Sequence, residues 1–271
     1  MAWQTDPRHE PIFNIPRSVV LLIAAFILIH AVRTLLLSDD TAVEVLFDWA
    51  VIPLRWSLAL GFVTPEQALE SARQFAPTDN GLRLALTEFV LDSGSGRFWT
   101  GLSYAVLHGS WAHILVNSLW LVAFGSPVAR RCGTARFLIL AAASAIGGAV
   151  AHVLLHPLQP LPLVGASASV SGMMAAAAWF MFSPLVFGRD GRPLEPHDRP
   201  RERIGGLLRN RPVVIFLVVW FGLNYLSAQL AGPLGMTDAS IAWEAHVGGF
   251  VVGLLLFPLL DPLGARARPS H

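Results

Sequence analysis

Lysine is absent from the 271 residues, cysteine occurs once, tyrosine twice, and only 14% of the chain is charged. Each shortage excludes something. The single thiol, Cys132, rules out an intrachain disulfide framework and any zinc or iron–sulfur centre built from cysteines. A formal net charge of +1 argues against nucleic acid as a partner. Soluble domains carry roughly 25% charged residues, so this chain has too few polar groups to cover a water-facing surface. What it has instead is 54% hydrophobic residues and a mean hydropathy of +0.56. They arrive in runs close to the length, about 20 residues, that crosses a roughly 30 Å hydrocarbon core as helix.

Those runs lie at about 18–37, 110–131, 135–156, 165–183, 213–231 and 240–260 and predict an all-α polytopic membrane protein with six transmembrane helices. The first follows residues 1–17 and has no small-x-small cleavage site at its end, which makes it an anchor rather than a removable signal peptide. Arginine sets the orientation, because retained cytoplasmic loops are enriched in basic residues. Arg8 and Arg17 precede the first run, Arg130, Arg131 and Arg136 separate the second and third, and seven arginines from Arg189 to Arg211 crowd the 184–212 connection. With Arg266 and Arg268 in the 261–271 tail, all fall on one side if there are six spans, so both termini are expected in the cytoplasm. The opposite connections agree: His156 to Pro162 has no formal charge with histidine neutral, and Leu230 to Ser240 carries only Asp238. The long segment 38–109 is acidic over Ser38 to Trp99 and is expected outside. Within it, Ala42 to Phe62 is apolar but interrupted by Asp48, Pro53 and Arg55, which fits a helix lying in the membrane interface.

Polar side chains are costly inside a bilayer and are functional candidates by default. Three groups stand out. The second run opens with His108, Ser110, His113 and Asn117, where Ser110 suits an N-cap and His113 and Asn117 share a face four residues apart. The fourth opens with Gly165-Ala-Ser167-Ala-Ser-Val-Ser171-Gly172, and the sixth contains Ala245-His246-Val-Gly-Gly249-Phe-Val-Val-Gly253. At 1.5 Å per residue, Asn117, Ser167 and His246 each stand about 21–25 Å from the cytoplasmic end of their run, so the three share one level. His246, Gly249 and Gly253 form a small-residue strip, as do Ala168, Gly172 and Ala176, and such strips let helix backbones approach closely. A serine beside a neutral imidazole is the constellation of acyl transfer. The Asn117 amide, the His113 ring and the Ser167 N–H could serve the oxyanion. Glu244 is two residues from His246 and faces elsewhere, which leaves a dyad.

These segments resemble the rhomboid family of intramembrane serine proteases. The family pattern His-x4-His-x3-Asn, Gly-x-Ser and Ala-His-x-x-Gly-x-x-x-Gly is matched at His108, His113, Asn117, Gly165, Ser167, Ala245, His246, Gly249 and Gly253, over about 95–260. The resemblance implies Ser167 as nucleophile, His246 as general base, and Asn117 with His113 as oxyanion stabilisers. It also implies single-span membrane proteins as substrates, the bacterial inner membrane as location, and a lateral gate between the second and fifth helices. Trp120, Phe216 and Trp220 are the bulky candidates for that gate. The chain departs from the family at Ala168 for glycine, Thr100 for the arginine of Trp-Arg, and Ser171 for an aromatic.

Other residues have plainer expectations. Ser169 and Ser171 read as packing residues, and His30 as a helix-contact residue. His152 and His156, four apart, could ligate a metal but read as polar residues at the outer helix end, so no metal and no cofactor is expected. A catalytically inactive rhomboid-like client-binding protein would be expected to lack Ser167 or His246, and both are present. A histidine-dependent membrane metalloenzyme is disfavoured because the chain has neither His-Glu-x-x-His nor paired histidine boxes.

Overall fold

The computed structural model describes residues 14–230 and 242–264, the side chains of 227–230 excepted. Residues 1–13, 231–241 and 265–271, with Arg8, Asp238, Arg266 and Arg268, lie outside the described residues. So do most of the expected N-terminal tail, the connection before the last span, and most of the C-terminal tail. All regular structure among the described residues is helical, apart from two isolated bridges.

The first apolar run forms α1 (Arg17–Ala31), extended by a π turn over Val32–Leu36. Four helices follow within the long segment: α2 (Asp39–Trp49), α3 (Pro53–Ala59), α4 (Pro65–Phe75) and α5 (Leu82–Asp92). Their starts are written in the sequence. The Ser38 hydroxyl accepts from Thr41 N–H ahead of Asp39 and Asp40, and Thr64 with Gln67 forms a capping box before Pro65. The expected single interfacial helix over 42–62 is instead two, since Pro53 has no N–H to continue α2 and opens α3 at its first turn. The break between them, Ala50 to Ile52, pairs with the chain ahead of Ser167: Val51 and Leu163 exchange hydrogen bonds of 3.2 and 2.8 Å.

The segment has a small core of its own, including Phe47, Ile52, Leu54, Val63, Ala68 and Val90. Arg55 is buried beside it, donating to the Phe47 carbonyl and to Ser93 Oγ at 2.7 Å; burial and the nearby Arg97 push its pKa down to about 10. Where the family resemblance leads one to expect an arginine after Trp99, Thr100 instead accepts from Trp56 Nε1 at 3.0 Å, while Arg97 pairs with Asp48.

After the short α6 (Thr100–Ser103), α7 (Trp111–Trp120) starts at Ser110, whose hydroxyl accepts from His113 N–H as its cap. A π turn (Leu121–Gly125) links it to α8 (Ser126–Leu155), which breaks at Gly133 with φ +75° and ψ 165°. Then come α9 (Ser167–Ala178), the single turn α10 (Ile204–Leu207), α11 (Arg211–Leu230) and α12 (Trp243–Leu260).

Among the described residues three helical runs are long and apolar enough to cross a membrane: Arg17–Leu36, Trp111–Leu155 and Trp243–Leu260. Their outward residues, among them Leu21, Leu28, Leu119 and Leu259, are exposed and apolar, the inverse of a soluble surface. α9 differs. Expected as a span over 165–183, it is helical for 12 residues only, about 18 Å of rise. It is buried on nearly every face, between α8 and α12 on one flank and α7 on the other. A helix that short, sunk in the middle of the bundle, brings its first residue inside the protein rather than to a lipid surface.

The far end of the bundle is tied by a buried ion pair. Asp261 follows α12, where the helix dipole disfavours a carboxylate. Arg131 answers it with a two-pronged contact, Nε to Oδ1 and Nη2 to Oδ2, both 2.9 Å, with both side chains fully buried. Its Nη1 donates to the His197 and Arg199 carbonyls, and Arg201 stands 3.3 Å from Asp261. Arg131, expected only as a topology marker, thus joins α8, α12 and the 184–203 connection. Arg131→Met leaves Asp261 buried and under-compensated, a loss of about 3 kcal/mol. It should lower Tm by roughly 10 °C in a thermal melt of the detergent-solubilised protein; an unchanged melt would reduce the pair to a bystander.

Candidate active site

Contacts at glycine set the register of the central helices. Gly249 of α12 lies against the Ala168 backbone of α9, and Gly253 against the Gly172 backbone, so closely that a Cβ at either would strike main chain. The two pairs advance together, so α9 and α12 run parallel and start at the same end. On the other flank of α12, Gly147 meets Val252 and Gly248 meets Ala151, so α8 ends where α12 begins. The small-residue strips expected on α9 and α12 do meet. Ser167, the first residue of α9, and His246, the fourth of α12, therefore stand at the same level.

The loop ahead of Ser167 is held on three sides. Gly165 has φ +120°, and a Cβ there would also lie 2.7 Å from Cε1 of His113, so the His113 ring rests against this loop. Gly165 N–H donates to the Tyr104 carbonyl at 3.0 Å, and the buried Tyr104 hydroxyl donates to the Ala145 carbonyl of α8 at 2.8 Å. With the Val51–Leu163 pairing, these contacts fix where the chain enters α9.

The three serines of α9 differ in what they bond. Ser169 Oγ donates to the Ala141 carbonyl and Ser171 Oγ to the Ser167 carbonyl, both at 2.8 Å. Both act in packing, as expected. Ser167, at the helix start, has no preceding turn to bond back to, and its hydroxyl finds no hydrogen-bond partner among the described residues. It is half-buried, as is His246.

His246 has a partner that sequence reasoning missed. Its Nδ1 lies 2.5 Å from Asn224 Oδ1 on α11, while Asn224 Nδ2 donates to the Trp220 carbonyl at 2.8 Å. With the amide nitrogen so engaged, the oxygen faces the ring, and an oxygen acceptor requires Nδ1 to carry the proton. That leaves the Nε2 lone pair free in the neutral imidazole. A signal existed: Asn224 is a polar residue within an apolar run, the criterion applied to the other helices. Glu244, by contrast, turns to His156 at 3.0 Å.

Asn117 is buried, and its Nδ2 donates to the His113 carbonyl at 3.0 Å, which leaves one amide hydrogen unused. His113 meets His108 edge-on, with ring centroids 5.1 Å apart. His30 packs on Trp111 at 4.7 Å, the helix contact expected of it.

The three gate candidates separate. Trp120 stacks on Phe124, which in turn meets Phe216 at 5.4 Å; Phe216 also meets Phe182. Trp220 stacks on Phe250 of α12 at 4.7 Å and takes part in no aromatic contact with Trp120 or Phe216 among the described residues. Trp120 is 42% exposed and Trp220 7%.

A family model described as the Rhomboid domain matches residues 95–261, more than half the chain. The chain belongs to the rhomboid family. Similar proteins include the Rhomboid protease GlpG of Serratia proteamaculans (strain 568), 31% identical over 160 residues. Those residues are 59% of this chain and 47% of the relative. The Rhomboid protease GlpG of Yersinia pestis (strain Pestoides F) and that of Yersinia pseudotuberculosis serotype O:3 (strain YPIII) are 28% identical with the same coverage. The matched region spans about half the length of those relatives. In this rhomboid the departures from the family pattern have structural uses. Ala168 packs under Gly148 and Gly249, and Ser171 closes a turn of α9.

Proposed function

We propose that this multi-pass membrane protein is an intramembrane serine endopeptidase that cleaves peptide bonds in or near the transmembrane segments of membrane-protein substrates. The observation that carries the proposal is the meeting of α9 and α12. It brings a hydroxyl with no hydrogen-bond partner among the described residues to the level of an imidazole whose tautomer is already set. His246 Nε2 takes the Ser167 proton as Oγ bonds to the scissile carbonyl carbon. The same proton then passes to the leaving amine as the C–N bond breaks, and water repeats the sequence on the acyl-enzyme. The first N–H groups of α9 have no intrahelical acceptors. Together with the free Asn117 hydrogen and the His113 ring they serve the oxyanion. Asn224 holds the imidazole and does not touch substrate. This chemistry needs no cofactor. An inactive client-binding role would waste this arrangement.

The proposed setting has six spans, with the break at Gly133 dividing the 45-residue run, both termini in the cytoplasm of a bacterium, and the 38–109 segment on the outer face of the inner membrane. Single-span proteins with a locally unstable helix suit the site as substrates, because an intact lipid-embedded helix hides its carbonyls in its own hydrogen bonds. They enter between α7 and α11. Phe216 lies eight residues from Asn224, about 12 Å along α11. Trp120, Phe124 and Phe216 therefore close the seam away from the dyad, and Trp220 on Phe250 holds α11 to α12 beside it.

Ser167→Ala and His246→Ala should each abolish cleavage of a reconstituted membrane substrate in a protein that still folds, with no further loss in the double variant. A serine-directed phosphonate should label Ser167; a label on Ser169 or Ser171 would overturn the choice of nucleophile. Asn117→Ala should lower kcat by about 10²–10³. Asn224→Ala should lower kcat with KM little changed and shift the pH profile of kcat, whereas a purely structural Asn224 would leave that profile in place. Phe216→Ala should speed cleavage of a membrane-spanning substrate more than that of a soluble unfolded peptide, while Trp220→Ala should speed neither, because it loosens the hold on His246. Equal acceleration of both substrates by Phe216→Ala would remove that residue from the gate.

A further inference from the structure

Two residues before His246 lies a second polar cluster that the proposed cleavage does not use. His152 lies in the last turn of α8 and His156 immediately follows the helix, their ring centroids 5.0 Å apart, and Glu244 stands in the first turn of α12 opposite them. His156 Nε2 is 3.0 Å from Glu244 Oε1, and His152 Nδ1 is 3.9 Å from Glu244 Oε2. The second distance is too long for a hydrogen bond. Among the described residues His152 Nδ1 has no partner, and it is buried. One ligand atom from each of the three residues lies within 4.8 Å of the other two.

We infer that His152, His156 and Glu244 form a binding site for a divalent cation of the zinc class. Two imidazoles and one carboxylate suit first-row divalent metals, zinc above all. Bonds of 2.0–2.2 Å in a tetrahedron put ligand atoms about 3.3–3.6 Å apart. The 3.0 and 3.9 Å contacts are made to different oxygens of Glu244, so the carboxylate faces both rings, and with the three ligand atoms within 4.8 Å of one another the side chains need draw together by no more than roughly 1.5 Å to close on an ion. A cation there gives His152 Nδ1 the partner it lacks and uses the Glu244 oxygen that points toward it. The His156 side chain is 41% exposed, which provides the way in and leaves the fourth coordination position open to water. The three residues come from the end of α8 and the start of α12, so the ion would clamp the two helix ends beside the α9 entrance. Sequence spacing supplies only the histidine pair, which on its own reads as polar residues at a helix end; the fold adds Glu244.

The test uses the untagged full chain in detergent, stripped with a chelator and then desalted with or without zinc chloride. Wild type should keep about one zinc per chain and melt about 5–10 °C higher when zinc exceeds its dissociation constant a hundredfold. His156→Gln and Glu244→Gln should lose both effects. His156 is partly exposed, so its variant decides the matter even where Glu244→Gln fails to fold. Wild type that retains no zinc, or a His156→Gln variant that retains zinc and melts like wild type, overturns the site. Neither readout involves a substrate, so the result is independent of whether the chain cleaves proteins.

Discussion

The close approach of α9 and α12 is the constraint on which the rest depends. Inside a bilayer, burying apolar side chains against one another gains little, because lipid tails are as apolar as leucine. Contact therefore rests on how near two backbones can come. Gly249 over Ala168 and Gly253 over Gly172 remove the side chains that would hold the helices apart. α8 closes on the same pair through Gly147 and Gly148, so three helices share one seam of small residues. The outcome is a short buried α9 whose first turn lies inside the protein, with the first turn of α12 beside it. Larger residues along that seam could be just as hydrophobic and still part Ser167 from His246.

Much of this was legible in the sequence because it obeys local rules. The periodic strips at Ala168, Gly172 and Gly249, Gly253, the Ser110 cap and the apolar runs are all written within a few turns of chain. The family was legible for the same reason, since its motifs are short and lie on those strips. What escaped depends on contacts between distant segments. Asn224 is a polar residue in the apolar run of α11, but nothing within that run shows that it faces His246, 22 positions away. The Arg131–Asp261 pair links residues 130 positions apart, and charge counting treats Arg131 only as a loop residue. The length of α9 was overestimated because hydropathy continues through Trp179 to Phe182, while the helix stops at Ala178. A core that buries residues on all sides gives hydropathy no means of distinguishing helix from turn.

The long 38–109 segment has a structural purpose that its acidic composition does not suggest. Two helices interrupted at Ala50–Ile52 expose a strand-like edge, and that edge pairs with Leu163 four residues before Ser167. Buried Arg55 ties the segment together by donating to the Phe47 carbonyl and to Ser93 Oγ. Tyr104 fixes Gly165 from the far end of the same segment. The entry to α9 is thus positioned by residues of this segment, Val51 and Tyr104, that pack on Ala145, Ala149 and Val153 of α8.

The two histidine-bearing sides of the site differ in how firmly they are held. His113 rests against a loop anchored at Val51, Tyr104 and α8. His246 is oriented by Asn224 on α11, and among the described residues the aromatic hold on α11 at that level is Trp220 and Phe221 against Phe250 of α12. On the proposed mechanism, a substrate helix that enters between α7 and α11 has to push on the element that orients the imidazole, so admission and activation oppose each other. A wide opening of α11 would release Nδ1 from Asn224 and leave the base unoriented, so cleavage requires the seam to reclose, or the opening to stay at the Phe216 end, where the Asn224 contact is not disturbed. The separation of the Phe124–Phe216 cluster from the Trp220–Phe250 stack is the geometry that permits the second course.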